Sequence, residues 1–451
     1  MKTPILETQR LILKPVSAKY AQDVYNNWTS DERVAKYMRW STHTGVEVTK
    51  AWLSEEEKEE DSDGFFDFFI VRKKDEKLIG TVGLYKKEEA FELGYNLMYD
   101  EWGKGYATEA VKRVLLFAIK ELGVRRFIAN HSVENPKSGS VMKKCGFIRT
   151  GEGVDYKFNG ETMKVYCYEF NLDNPTYMLN NGVKMPAIGY GSFLSTEKSG
   201  YQTVLDALKC GYRYIDTAYF YKNEDEIGKA IKEFGIKREE LFLCSKVWPT
   251  RMGYEETKQC FEDSCRSLGT NYIDLYLIHW PKKSQSDENW VELIRETWRA
   301  MEELYNEGKI KAIGLSNFLP HHIRPLLETA KIMPSVDQLE LHAGYMQSET
   351  VKYCKTHDIL VEAWSPLGRG ALLNDETVLK IAKKYQKTPA QVLLKYLYQK
   401  QIAIIPKASN LDRMNENKDI FDFYLSDDDV SIFDSLPQTG FSGEHPDWVE
   451  W

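Results

Sequence analysis

Apolar and polar positions divide this 451-residue chain into two parts of different rhythm. Up to about residue 172, strand-length apolar runs stand close together, at 65–71, 78–85 and 91–98. The order reads as strand, two or three helices, a three-strand meander, one helix, then strand, helix and a final strand pair. It predicts an α+β domain with a mixed sheet. Beyond residue 172, short apolar runs alternate strictly with helical patterns. Eight runs fall at 187–190, 214–218, 241–247, 273–280, 311–316, 335–341, 359–365 and 402–406, with helical spacing at 200–210, 254–268 and 290–306. Alternation implies parallel pairing, and eight such units suit a closed (β/α)8 TIM barrel better than an open sheet. No G-x-G-x-x-G follows the first run, which weighs against a Rossmann sheet. Residues 178–185, with Asn181-Gly182 at the turn, read as a hairpin placed to cap the bottom of the barrel. The polar, turn-forming stretch 171–175 separates the two parts, so the predicted domains are 1–172 and 173–451.

Composition narrows the function classes. Hydrophobic content of 42%, charged content of 28% and a formal charge of −8 fit a globular protein without the basic face that nucleic acid needs. No apolar run is long enough for a membrane span, and the first residues lack the apolar core of a secretory signal. Seven scattered cysteines show no C-x-x-C and no metal-ligand spacing, so reduced thiols in a cytoplasm and no metal are expected. Cys260 and Cys265 lie in a helical pattern and read as packing; the acidic stretch 55–63 reads as a solvated helix end and loop. No obligatory protein partner is evident.

In an α/β barrel the chemistry sits where the strands end. Strand two ends in Asp216, strand three in Lys246, strand four in His279 and strand five in Ser316-Asn317. Strand six offers Gln338, strand seven Trp364 and strand eight Lys407. Each is ordinary alone. Together they place acid, base, amide and aromatic groups on one rim.

The motifs around them resemble the aldo-keto reductase family. They are Gly211 to Ala218 followed by Tyr221-Lys222-Asn223-Glu224, then Leu277-Ile278-His279-Trp280-Pro281, Ile313 to Phe318, Trp364-Ser365-Pro366-Leu367-Gly368 and Ile405-Pro406-Lys407-Ala408-Ser409. The resemblance implies an NADPH-dependent reductase of carbonyl compounds. It implies Asp216, Tyr221, Lys246 and His279 as catalytic tetrad. It assigns Ser316, Asn317 and Gln338 to the nicotinamide carboxamide, Trp364 to the ring, and Ser365 and Leu367 to the cofactor. Lys407, Ser409, Arg413, Glu416 and Asn417 would hold the adenosine end. Phe193, Trp248 and Trp280 would line an aromatic pocket for a small keto-aldehyde or keto-sugar, with residues 440–446 placed to close over it.

Elementary chemistry gives the tetrad a rationale. Reducing a carbonyl needs a hydride on carbon and a proton on oxygen; the nicotinamide carries the first and the protein supplies the second. A lysine ammonium beside a tyrosine lowers the phenol pKa, an aspartate keeps the lysine charged, and a histidine can bond the substrate oxygen. At the adenosine end, Lys407 and Arg413 stand beside a helix start and suit a 2′-phosphate. Three residues depart from the family pattern, the first being Phe193, where tryptophan is frequent. Ala408 replaces a serine hydroxyl, which predicts a blunted NADPH preference. Asp337 stands where asparagine is usual and needs a local partner.

In the first domain, Gly103-Lys104-Gly105-Tyr106-Ala107-Thr108 lies between a strand and a helix, where backbone amides and the helix dipole make an anion cradle. With Asn135-Pro136-Lys137-Ser138, Val141, Lys144 and Gly146-Phe147, it resembles the GNAT acetyltransferases, and among them the ribosomal-protein N-acetyltransferase branch. That implies acetyl-CoA, its pyrophosphate on the amides of residues 103–108 and its pantetheine arm toward Asn135, with an amine as acceptor. Trp102 replaces the glutamine or arginine of the broad motif, and Met142 occupies the place of the thiolate-facing tyrosine. Ser138 is then the candidate acid, and Glu92 a candidate base or an ion-pair partner. The alternative is that only the barrel is catalytic and the first domain is an acyl-CoA-binding or accessory module.

Overall fold

The computed structural model describes residues 2–59, 62–193 and 200–451. It divides into two compact units, Met1–Pro175 and Thr176–Trp451. Residues 60–61, inside the acidic stretch, lie outside the described residues; the helix before them is Val46–Glu59.

The first unit is one eight-stranded sheet. Its strands are β1 (Leu6–Glu7), β2 (Leu11–Pro15), β3 (Phe65–Arg72), β4 (Lys77–Lys87), β5 (Ala90–Leu97), β6 (Arg126–Ser132), β7 (Ile148–Tyr156) and β8 (Thr162–Asn171), in the order β1-β2-β3-β4-β5-β6-β8-β7. All pairs are antiparallel except β5–β6, so the sheet is mixed as the sequence predicts. Alternation along β3 sends Phe66 and Phe68 to one face, where both meet Phe117 of the helix Tyr106–Glu121 edge-on. Phe69 faces the other side and packs on Trp28 and Tyr20. The helix buries Ala110, Val111, Val114, Leu115, Phe117 and Ala118, a stripe at helical spacing.

The parallel pair is brief. β5 and β6 are in register only at Phe91↔Phe127 and Glu92↔Ile128, although β5 runs on to Leu97 and β6 to Ser132. Beyond Glu92 the strands part and leave a wedge in the sheet.

The second unit opens with a hairpin of β9 (Thr176–Met178) and β10 (Lys184–Pro186), with Gly182 at φ 87° in the turn. A left-handed φ of this kind favours glycine. The strands that follow are β11 (Tyr190–Gly191), β12 (Tyr214–Asp216), β13 (Phe242–Val247), β14 (Ile273–Ile278), β15 (Ile310–Ser316), β16 (Val336–Glu340), β17 (Leu360–Trp364) and β18 (Ala403–Ile404). They form one all-parallel sheet in sequence order. The sheet curls until β18 reaches the start of the first strand at a single parallel bridge, Ile188↔Ile404. The predicted barrel is therefore met in part, because the seam holds that bridge and one further bond, from the Gly191 amide to the Pro406 carbonyl at 3.3 Å, instead of a full ladder. The seam is tight: a Cβ on Gly191 would stand 2.9 Å from the Ile405 carbonyl oxygen. Pro406 lacks the N–H that would extend β18.

The barrel interior is a packed core of Tyr214, Phe242, Leu275, Leu277, Ala312, Val336 and Ala403. Leu179 and Met185 of the hairpin join that cluster from below. Asn180 and Asn181 tie the turn to the backbone at Pro334 and Lys311. The seven cysteines form no disulfide among the described residues, and Cys260 and Cys265 are buried on the helix Tyr254–Leu268. Among the described residues no helix is long and apolar enough to cross a membrane.

Candidate active sites

β12 and β13 lie side by side, with Asp216 paired to Cys244, and so bring the Asp216 carboxylate beside Lys246. Both side chains are buried. The Lys246 ammonium donates to Asp216 Oδ1 at 2.8 Å, to Oδ2 at 2.7 Å and to the Thr217 carbonyl at 2.9 Å. Asp216 holds Lys246 well above the ordinary lysine range despite burial. Tyr221 ends a short 3-10 turn, Tyr219–Tyr221, after β12, and its ring centroid is 5.1 Å from Lys246 Nζ.

The phenol departs from expectation. The sequence predicts a tyrosine pKa lowered by the lysine, but burial pushes Tyr221 up to about 12 and outweighs the Lys246 cation. Burial is the main cause, and Asp216 adds to it by opposing part of the Lys246 field. His279, just beyond β14, stands edge-on to Tyr221 with centroids 5.6 Å apart. Burial first, and Lys246 second, depress its pKa well below the usual imidazole value, so the ring is uncharged. Its Nδ1 is buried without a hydrogen-bond partner among the described residues.

Next to His279, three predicted cofactor residues bond one another. Asn317, at φ 62°, donates to the His279 carbonyl at 3.0 Å and to Ser316 Oγ at 3.1 Å, and accepts from Trp364 Nε1 at 2.8 Å. Ser316 donates to the Gln338 carbonyl. The Gln338 amide points into the barrel, where Nε2 donates to Asp216 Oδ2 at 2.9 Å and to Glu362 Oε2 at 2.7 Å. Asp337, the next residue on β16, faces outward. It is fully buried, is raised to about 8 by burial, and meets Cys354 Sγ at 3.7 Å and the Phe318 amide. Those are the local partners that the sequence leaves open.

The remaining rim residues are split between two places. Ser365, at φ 48°, and Leu367 follow Trp364. Lys407, Ser409 and Arg413 are exposed after β18, on the approach to and the first turn of the helix Leu411–Lys418, which Asn410 caps. Glu416 accepts from Thr388, and Asn417 is buried. Ala408 is buried, and its carbonyl accepts from the Tyr190 hydroxyl. Exposed cations beside a capped helix start, together with a neutral imidazole at the barrel mouth, fit a nicotinamide dinucleotide carrying a further phosphate.

The aromatic residues gather around the tetrad. Phe193 lies 4.9 Å from the Tyr221 ring, and Trp248 stacks on Phe220 and stands edge-on to His279. Trp248 and Trp280 are buried with Val449, and Trp451 packs on both at 4.9 and 5.2 Å. Residues 440–446 settle beside Asn317 and Trp364, with Ser442 bonded to Glu340. The final residues, which the sequence reading did not single out, cover the tryptophans instead. Asp447 anchors them: His321 and His322 donate to it at 3.0 and 2.9 Å, and Lys282 lies 3.5 Å away. His322 Nδ1 accepts the Leu319 amide, so its Nε2 carries the proton given to Asp447.

In the first unit, Gly103 and Gly105 take φ 79° and 83°, and Gly105 caps the helix Tyr106–Glu121. Glu109 locks this helix start, bonding Arg10 at 2.6 Å and Thr8 at 2.6 Å, while Arg10 also reaches the Lys104 carbonyl. A Cβ on Gly103 would meet nothing, and one on Gly105 only Arg10 Nη2 at 3.3 Å. The loop is open space bounded by amides. Trp102 ties the loop to β5 through the Leu97 carbonyl. Asn135 caps the helix Pro136–Lys144 by accepting from the Ser138 amide. Ser138 Oγ lies 2.7 Å from the Tyr95 hydroxyl, and Met142 is buried. Glu92 is held by Arg39 at 2.9 Å and Lys87 at 3.3 Å, which favours its ion-pair role.

Family profiles align with both units. The profile of the aldo/keto reductase family matches residues 187–438, and that of the acetyltransferase (GNAT) domain matches residues 10–148. The chain therefore joins a GNAT domain to an aldo/keto reductase domain. A glyoxal reductase of Bacillus subtilis is 46% identical over 273 residues, 60% of this chain and 96% of the relative. A 9,11-endoperoxide prostaglandin H2 reductase of Trypanosoma cruzi is 42% identical over 275 residues, 60% and 94% of the two chains. A crystal structure of an aldo-keto reductase from a Medee basin deep-sea metagenome matches at TM-score 0.58 and 42% identity, covering 61% of this chain and all of that one. A silkworm aldo-keto reductase complexed with NADPH matches at TM-score 0.55 and 36% identity, covering 59% and 89%.

Proposed function

The chain belongs to the aldo/keto reductase family, and on that premise we propose that its second unit reduces small aldehydes or ketones to alcohols with NADPH. The observation that carries this reading is the buried Lys246–Asp216 pair set under the Tyr221 ring, with neutral His279 beside it. NADPH, when bound, supplies the hydride that the carbonyl carbon receives. In this reading Ser316, Asn317 and Trp364 hold the nicotinamide, Ser365 and Leu367 contact the cofactor, and Lys407, Ser409, Arg413, Glu416 and Asn417 take the adenosine end, while the Gln338 amide stays with Asp216 and Glu362.

Tyr221 acts as the acid. With its pKa near 12 it stays protonated through neutral pH, yet it remains a far stronger acid than an alcohol, so passing its proton to the developing alkoxide is downhill. Lys246 then stabilises the tyrosinate, and Asp216 keeps Lys246 charged and fixed. His279 can bond the substrate oxygen without adding a second charge to the site. The cover of Trp248, Trp280 and Trp451 favours a small substrate of the keto-aldehyde or keto-sugar type, in keeping with the name of the Bacillus relative. Loss of NADPH absorbance across a panel of dicarbonyls, keto-sugars and simple aldehydes tests the reading. No carbonyl-dependent oxidation anywhere in the panel would refute it.

For the first unit we propose acetyl-CoA-dependent transfer of an acetyl group to an amine. Support comes from the left-handed Gly103 and Gly105 at the helix start, and from the wedge where β5 and β6 part, which leaves strand backbone for an extended arm to bond. Ser138, in contact with Tyr95, is the available acid in place of the absent tyrosine. A second reading, an acyl-CoA-binding module without catalysis, is favoured by Glu92 being spent on Arg39 and Lys87. Release of coenzyme A in the presence of amine acceptors, which binding alone does not produce, separates the two.

A further inference from the structure

Below the tetrad the barrel holds a second carboxyl group that the reaction does not use. Glu362 lies on β17, fully buried, with its side chain inside the barrel. Oε2 accepts from Gln338 Nε2 at 2.7 Å and from the Tyr214 hydroxyl at 3.1 Å, and Oε1 has no hydrogen-bond partner among the described residues. The same Gln338 nitrogen donates to Asp216 Oδ2 at 2.9 Å. One amide therefore ties two carboxyl groups together, and the cation beside them, Lys246, donates to both Asp216 oxygens and to the Thr217 carbonyl.

Two anions and one cation in a dry interior leave an unpaired charge, which is costly. Every group facing Glu362 bears on which carboxyl keeps a proton. β12 contributes Tyr214 and Asp216, β13 contributes Cys244 and Lys246, and β16 contributes Gln338. β14, β15 and β18 bring the apolar Leu277, Ala312 and Ala403 to the same interior, and β15 ends in Ser316, whose hydroxyl is given to the Gln338 carbonyl. Lys246 touches Asp216, so Asp216 is the anion. Glu362 is then the neutral acid, with Oε2 as its doubly bonded oxygen and the proton on Oε1. Burial and Asp216 both push its pKa upward, in the same direction.

We propose that Glu362 is a positioning residue of the reductase: as a neutral acid it fixes Asp216 on Lys246 through Gln338, and its ionisation weakens the support that Lys246 gives to Tyr221. The inference rests on the reductase reading. An ionised Glu362 would leave the Asp216–Lys246–Glu362 group with a net negative charge beneath Tyr221. Forming tyrosinate there would be opposed, and proton delivery would slow. The neutral form places no such charge.

The test is the pH profile of kcat and KM for NADPH-dependent carbonyl reduction by the full chain. In wild type, kcat falls as pH rises above neutrality while KM for NADPH holds. Glu362→Gln is a neutral mimic of the acid, with its oxygen free to accept from Gln338 and Tyr214. It should keep kcat at neutral pH within about threefold and abolish the alkaline fall, because the amide does not ionise. Tyr214→Phe is the second variant, used if Glu362→Gln does not fold. Removing a donor from Oε2 makes ionisation harder, so the alkaline fall should move to higher pH. A purely structural role would lower kcat or the melting temperature equally at every pH and leave the shape of the profile unchanged. Profiles of both variants superimposable on wild type would overturn the proposal alone. A wild type without carbonyl-dependent NADPH oxidation would overturn the reductase reading and this proposal with it.

Discussion

Lys246 binds both carboxylate oxygens of Asp216, at 2.8 and 2.7 Å, in an interior where burial of the Tyr221 phenol outweighs the ammonium beside it. Tyr221 accordingly remains a protonated acid until strongly alkaline pH. Replacing it by phenylalanine removes the proton without disturbing the pair. Tyr221→Phe should lower kcat by about 10²- to 10⁴-fold, the usual worth of general acid catalysis, and leave NADPH affinity near wild type. Steady-state rates with fluorescence titration of NADPH check both halves; a variant keeping more than about a tenth of the rate would exclude Tyr221 as the acid.

The choice between NADPH and NADH should lie with Arg413 and Lys407, both exposed at the start of the helix Leu411–Lys418. A charge-assisted bond to a 2′-phosphate is lost entirely in NADH. Arg413→Ala should weaken NADPH by about 10- to 100-fold and NADH by less than about threefold. Ala408→Ser, which restores a hydroxyl to that loop, should widen the preference of the wild type. Equal weakening of both cofactors by Arg413→Ala would show that this arginine does not read the phosphate.

In the first unit, Gly105 has left-handed φ, and a Cβ there would meet only Arg10 Nη2, at 3.3 Å. A glutamate there would place negative charge in the cradle proposed for the pyrophosphate. Calorimetry on the full chain should give heat with acetyl-CoA for wild type and none for Gly105→Glu, while NADPH oxidation by the barrel continues in both. Absence of acetyl-CoA binding in a folded wild type, judged by circular dichroism, would end the acetyltransferase reading.

Asp337 predicts a pH-dependent stability change. Its carboxyl is raised to about 8, so between the ordinary aspartate value and pH 8 the folded protein holds a proton that the unfolded chain releases. Unfolding then sheds a proton, and stability falls as pH rises through that window. Asp337→Asn keeps the contact with the Phe318 amide and removes the linkage. The variant should melt higher than wild type, with a gap that grows from pH 5 to pH 8, reaching on the order of a few kcal/mol. A gap independent of pH would contradict a neutral Asp337.

The rim of the barrel was legible because chemistry places charged and amide groups at strand ends, where apolar runs stop. Asp216, Lys246, His279, Asn317 and Gln338 all stand out against the apolar runs before them. What the sequence could not give was direction. Gln338 reads as a cofactor ligand, yet its amide points into the barrel, because only the fold puts Glu362 and Asp216 on the same side. Glu362 itself had a signal that went unread: a charge at an inward position of the run 359–365. The raised Tyr221 phenol is not legible in the sequence because proximity to Lys246 is visible in a motif, whereas the depth of burial that outweighs it is not. The wedge between β5 and β6 and the packing of Trp451 on Trp248 and Trp280 are tertiary, and no local pattern encodes them. The family match that begins at residue 187 likewise leaves out the hairpin 176–186.

That hairpin decides where the chain can be cut. Leu179 and Met185 are as much part of the barrel floor as Leu275 or Val336, though they precede every barrel strand. A fragment starting at Ala187 would keep each strand and each rim residue and yet expose the underside of Tyr214 and Phe242 to water. Such a fragment is expected to aggregate on expression, whereas one starting at Thr176 is expected to stay monodisperse. The reductase thus begins, as an inheritable unit, before its first recognisable motif, and any rearrangement that joined it to a new partner had to carry those residues along.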